Sequence, residues 1–149
     1  MLSATLLCMT LYWPRLARIM FFILFTWTSW MNWQTVTDTP LLYLKFQDLT
    51  WSEAYKNFIN GWFAKNINPV VITTAICQAV LAVSMLAGGV IFRAGAIGAV
   101  IFFLALTPLG MGAAFPSTLV MAIAMFILLI KHPAPSILAK TVTLFNKNV

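Results

Sequence analysis

Residues 70–130 are apolar almost throughout, and Arg93 is the one charged residue among them. A bilayer crossing takes about 20 predominantly apolar residues, so this run has the length of about three. Helix breakers divide it: Gly88, Gly89 and Arg93 first, then Pro108, Gly110, Gly112 and Pro116. The pieces predict spans over residues 69–87, 92–109 and 115–130. An earlier apolar run, residues 16–33, has Arg15 and Arg18 at one end and Trp27, Trp30 and Trp33 at the other. Tryptophan collects at headgroup level because its ring is amphipathic, so this run predicts a first span. Four spans with short second and third connections form an all-α membrane bundle, read as a single domain over residues 1–149.

The pattern changes between the first and second spans. After Thr50 and Glu53, spaced as a capping box, Trp51, Ala54, Tyr55, Phe58, Ile59, Trp62 and Phe63 recur on one helical face. Glu53, Lys56, Asn57, Asn60 and Lys65 fall on the other, so residues 51–65 predict an external amphipathic helix. Two roles fit it: an anchor in the outer interface, or a lid over a cavity in the bundle. A lid would press its aromatic face on the bundle's external ends, near Trp30, Trp33 and Met111. The apolar residues 1–13 are too short to span and lack a basic region and a cleavage site, so no cleaved signal peptide is expected. Past Pro133 and Pro135, Leu138, Val142 and Phe145 share one face of a short surface helix.

An arginine at bilayer depth is costly, but near a helix end its head reaches the interface. Arg93 therefore marks a tight turn between the second and third spans. Beyond it, Ala94 with Gly98 and Gly95 with Ala99 are small-xxx-small pairs, which let helix backbones approach closely. Charge then orients the bundle. With four spans, Arg15, Arg18, Arg93, Lys131, Lys140 and Lys147 share one side with no acid. Lys45, Lys56 and Lys65 share the other with Asp38, Asp48 and Glu53. The positive-inside rule places both termini, with residues 1–13 and the tail 131–149, in the cytoplasm.

Composition agrees with a lipid solvent: 62% of residues are hydrophobic, 8% are charged and the mean hydropathy is +0.93. The net charge of +6 comes from basic residues scattered singly, which excludes the basic stripe of a nucleic-acid binder. Cys8 and Cys77 form no C-x-x-C and are expected as small buried hydrophobes, with no dithiol or zinc centre. His132 follows the fourth span beside Lys131, a surface position, and Met85, Met121 and Met125 suit core packing better than haem ligation. No paired carboxylates, phosphate loop or nucleophile–base set is present, so no catalytic or metal-ligating residue is assigned.

Gln78, in the second span, is the most polar intramembrane residue. Its amide serves as glue between helices, or it bonds a quinone or lipid headgroup held in the bundle. Thr26, Ser29, Thr73, Thr74, Ser84 and Thr107 are candidate partners, although each hydroxyl can be satisfied on its own helix. Gln78 and Arg93 are the two candidate ligand-binding residues.

The stretches "RLARIMFFILFTW", "NPVVITTAICQAVLAVSMLAG" and "FRAGAIGAVIFFLALTP", with the long aromatic first loop, resemble the DoxX-like family of small four-helix bacterial membrane proteins. The resemblance implies a multi-pass protein of the bacterial inner membrane. Some members belong to membrane redox assemblies, so it also implies a non-catalytic subunit of a redox or quinone-linked complex. Members often carry a glutamate where this chain has Gln78, a departure that weakens any proton-coupled role the resemblance would imply. The alternatives are a binder or transporter of a small hydrophobic molecule, lipid or quinone, and a structural envelope protein.

Overall fold

The computed structural model describes residues 2–109 and 116–131, and within them no strand forms. Helix α1 (Leu2–Tyr12) leads into α2 (Pro14–Asp38), which starts on Pro14. Proline is favoured in a first helical turn, where the missing N–H has no partner to lose. A 3-10 turn (Pro40–Lys45), α3 (Phe46–Leu49), α4 (Glu53–Phe58) and a π-helical turn (Ile59–Phe63) then make up the long connection. The apolar helices α5 (Ile67–Leu86) and α6 (Gly89–Leu106) follow, then a 3-10 turn (Thr107–Leu109) and α7 (Ser117–Lys131). The predicted breaker residues Gly110 and Gly112, the start of the fourth span at Phe115, Met111, His132 and the tail helix lie outside the described residues.

The helices form a closed ring. Helix α2 packs on α5, α5 on α6 and α6 on α7, while α1 lies against both α7 and α2. The N-terminal segment is thus a fifth member of the bundle, with Leu6 and Thr10 buried. At the centre Phe21 and Phe25 of α2 reach Phe103 of α6, with Phe25 and Phe103 stacked at 5.3 Å. Ala82, Met85, Ala96, Ala99, Met125 and Leu128 fill the space around them.

The outside is apolar as well. Ile76, Val80 and Val83 on α5, Ile97, Ile101 and Leu104 on α6, and Ile123, Phe126 and Ile130 on α7 are all exposed. Water-soluble monomers rarely expose contiguous apolar patches beyond roughly 300–600 Å², and here several helices carry such a stripe. Helices α5 and α6 are long and apolar enough to cross a membrane. Cys8 and Cys77 are exposed rather than buried, a correction that puts both thiols on this outer surface.

The turn between α5 and α6 uses two residues, Ala87 and Gly88, before α6 begins. Gly89 opens α6 with φ of +60°, a left-handed conformation that glycine adopts without steric cost. Arg93 lies one turn into α6 and is exposed. Arg18 departs from its expected role. It is 1% exposed, and instead of meeting headgroups it points inward. Its Nε donates to the Met85 carbonyl at 2.9 Å, its Nη2 donates to the Ala87 carbonyl, and its guanidinium lies 4.1 Å from the centre of the Phe92 ring. The last carbonyls of a helix have no partner within it; Arg18 supplies one for the end of α5.

Of the two small-residue pairs, one works as expected. Gly95 and Ala99 are buried, and a Cβ built on Gly95 would stand 1.9 Å from Ser84 Oγ of α5. Ala94 of the other pair faces outward.

Candidate functional site

A cavity of about 330 Å³ opens where α2, α5 and α6 meet the long connection. Its apolar wall includes Phe46, Phe58, Ile59, Phe63, Val71, Phe102 and Leu106, and its polar groups come from Asn32, Tyr43, Tyr55, Thr74 and Gln78. Every side chain lining it is formally neutral.

The connection forms the outer wall of this cavity, by a route that the amphipathic pattern only partly foretold. Residues 51–65 are not one regular helix: α4 starts at Glu53, and Ser52 stands at the N-cap without a side-chain cap bond. The capping box does not form. Thr50 Oγ1 instead donates to the Pro108 carbonyl and accepts from the Ser52 amide at 3.4 Å. The π-helical turn at Ile59–Phe63 then takes more residues per turn than an α-helix. A four-residue spacing therefore keeps Tyr55, Ile59 and Phe63 along the wall of the cavity, while Trp51 and Trp62 turn outward at 72% and 58% exposure. Phe58 lines the cavity edge, half exposed, and stacks on Trp62 at 5.8 Å. The aromatic face is thus divided, one part roofing the bundle and the other facing away from it.

The roof is tied to the end of α6. Tyr55 Oη donates to the Ala105 carbonyl at 2.9 Å, beside the Thr50–Pro108 bond. Trp30 and Trp33, expected to meet the lid, are exposed and line a separate surface groove between α2 and α5. Val36, Ile67 and Val71 form a second small core with Tyr43 and Phe63 packed on it, which seats the connection on α2 and α5.

Gln78 is 4% exposed and ends a short polar relay. Tyr43 Oη donates to Asn32 Oδ1 at 2.9 Å, and Asn32 Nδ2 donates to Gln78 Oε1 at 2.7 Å. Each bond fixes the next: the tyrosine proton selects the Asn32 oxygen, which leaves the Asn32 amine for the Gln78 oxygen. Burial pushes the Tyr43 hydroxyl above its usual range, with a side-chain hydrogen bond from Thr35 pulling the other way, so it remains a donor at neutral pH. Gln78 is therefore glue between α5 and α2, and it also lines the cavity. Of the hydroxyls considered as its partners, Thr26, Thr73, Thr74, Ser84 and Thr107 bond carbonyls of their own helices. Ser29 crosses from α2 to the Ala75 carbonyl at 2.7 Å.

The structure brings Gln78 to the cavity and leaves Arg93, the other candidate, away from it, since Arg93 is not among the lining residues. Asn32 and Tyr43 were not singled out from sequence. Asn32 carried a signal, an amide in a run of tryptophans near the end of α2, but Tyr43 sits in a connection with no pattern that would assign it. No family model matches the chain, and no curated protein or solved structure is similar to it.

Proposed function

We propose that the chain crosses a membrane four times, through α2, α5, α6 and α7, and holds a small apolar molecule in the cavity beneath its external connection. The observation that carries the binding reading is the cavity itself: apolar walls with a few convergent polar groups, roofed by a segment seated on the bundle. Ligand pockets typically have this composition and run from about 300 to 1,000 Å³. The four-span reading draws on the apolar exterior of α5, α6 and α7 and on the exposed Trp27, Trp30 and Trp33 of α2. Helix α7 has 15 described residues, and a short span is accommodated by local thinning of the bilayer.

Both termini are placed in the cytoplasm of a bacterial inner membrane, and the DoxX-like family is part of this proposal. With Arg18 buried, Arg15, Arg93 and Lys131 are the exposed basic residues on that side among the described residues. In a Cys8→Ala, Cys77→Ala background, Gln47→Cys is expected to react with an impermeant external thiol reagent and Asn148→Cys to be protected. Reversed labelling sinks the orientation; labelling of both sites sinks the number of spans.

The binding reading is tested on protein purified in mild detergent. Mass spectrometry under native conditions is expected to find a retained neutral molecule on the wild type and to lose it in Thr74→Trp, which fills the cavity from α5. Equal retention by the two proteins would place the molecule elsewhere and end this reading. The second reading, a non-catalytic subunit of a redox complex, is favoured by the same cavity where the guest is a quinone. It requires in addition a cofactor-bearing protein that co-purifies.

A further inference from the structure

The cavity's hydrogen-bonding capacity is lopsided, and the imbalance selects a class of guest. Tyr43, Tyr55 and Thr74 each spend their one hydroxyl proton on a protein acceptor: Asn32 Oδ1, the Ala105 carbonyl and the Val70 carbonyl. One of the two Asn32 Nδ2 protons is spent on Gln78 Oε1. The donor with most left to give is the Gln78 side-chain amine: both of its protons lack an acceptor among the described residues, against one on Asn32. A buried donor without an acceptor is costly, whereas an oxygen with one unused lone pair is tolerated. Gln78 is 96% enclosed by the fold, being 4% exposed, and it lines the cavity. Every fully enclosed side-chain nitrogen and oxygen among the described residues has a partner, so this amine is accessible, and the cavity that Gln78 lines is where it can meet an acceptor.

We propose that the site takes a neutral, largely apolar molecule through a hydrogen-bond acceptor on its head, a carbonyl oxygen in particular, received by the Gln78 amide. This rests on the binding reading above. A cationic or anionic head is excluded by the same walls, because an unpaired charge in an apolar site costs far more than a neutral group. No formal charge lines the cavity to pair it. Phe46, Phe58 and Phe102 would flank the body of the guest, and the relay from Tyr43 through Asn32 would hold the Gln78 oxygen so that its amine stays turned to the head.

The probes are an alkane, a methyl ketone and a primary amine of one chain length, each radiolabelled and partitioned between the full-length protein in lipid nanodiscs and empty nanodiscs. The ketone is expected to bind about three- to tenfold more tightly than the alkane, the range that one net hydrogen bond supplies. The charged amine should not bind. Gln78→Met keeps the side chain's length without its donors and should abolish the ketone's advantage while the alkane binds as before. Because that variant also removes the bond to Asn32, a second measurement uses the wild type alone. The infrared stretch of a carbon-13-labelled ketone carbonyl should fall on binding, relative to the same ketone in empty nanodiscs. Equal binding of ketone and alkane, or an unshifted carbonyl, overturns this inference and leaves the binding reading standing. Binding of neither overturns both. Fatty-acid esters and quinones share the carbonyl acceptor; displacement of the ketone by one of them supports the inference and identifies the source, and displacement by neither overturns it.

Discussion

Replacing Arg18 with methionine is expected to destabilise the folded protein by about 3–6 kcal/mol, the sum for two charge-assisted hydrogen bonds. The Met85 and Ala87 carbonyls would lose their donor at the end of α5, and Phe92 would lose the cation beside its ring. Arg18→Lys should fall between, since an ammonium lacks the planar fork that serves separate acceptors at once. Arg93→Met is the control: Arg93 is exposed, and its change should stay within about 0.5 kcal/mol. Loss of helical circular dichroism on titration with a denaturing detergent measures all three. A wild-type midpoint for Arg18→Met would show that the buried guanidinium does not hold the α5–α6 turn.

The second large effect is expected at Gly95. An added Cβ there would stand 1.9 Å from Ser84 Oγ and 2.4 Å from Ser84 Cβ, so rotating the serine does not clear it. The α5 and α6 backbones must separate, and overpacking of this kind costs about 1–3 kcal/mol. Gly95→Ala is therefore expected to lower the same unfolding midpoint, and Ser84→Gly in the same chain to restore part of it. Gly61→Ala has nothing within 4 Å to meet, and should be neutral or stabilising by about 0.5–1 kcal/mol. Additive effects of the Gly95 and Ser84 changes would refute the close approach, because side chains in contact couple and distant ones do not.

The long helices were legible because periodicity and breakers act locally. Spans expected at residues 69–87 and 92–109 correspond to α5 (Ile67–Leu86) and α6 (Gly89–Leu106), which start two or three residues earlier, with Asn66 and Gly88 at the N-caps. The first span was placed over residues 16–33, but α2 runs on to Asp38, since the polar residues after Trp33 continue the helix beyond its apolar part. The error at Arg18 is more instructive. It was grouped with Arg15 by charge, yet its spacing to Phe21 and Phe25 puts it on the buried stripe of α2. Charge argued for the surface, periodicity for the core, and carbonyls 67 and 69 residues away decided between them. The site was legible only at Gln78. Its partner Asn32 lies 46 residues away, and Tyr43 enters through a connection whose short helices leave no long periodic run to read. The π-helical turn is another such case, because it changes the register that a helical wheel assumes to be constant.

Arg18 and the carbonyls it serves also set an order of events on the ribosome. The arginine is synthesised 67 residues before Met85, an interval of roughly 3–13 seconds at typical elongation rates. Until then the Met85 and Ala87 carbonyls cannot receive its guanidinium, and burying the charge without them is costly. In the four-span arrangement proposed above, α2 must wait with Arg18 held at the cytoplasmic headgroups. It seats fully only when the α5–α6 hairpin emerges and presents its turn. Arg18 is thus a latch between α2 and the α5–α6 turn, and it can close only once that turn has been made.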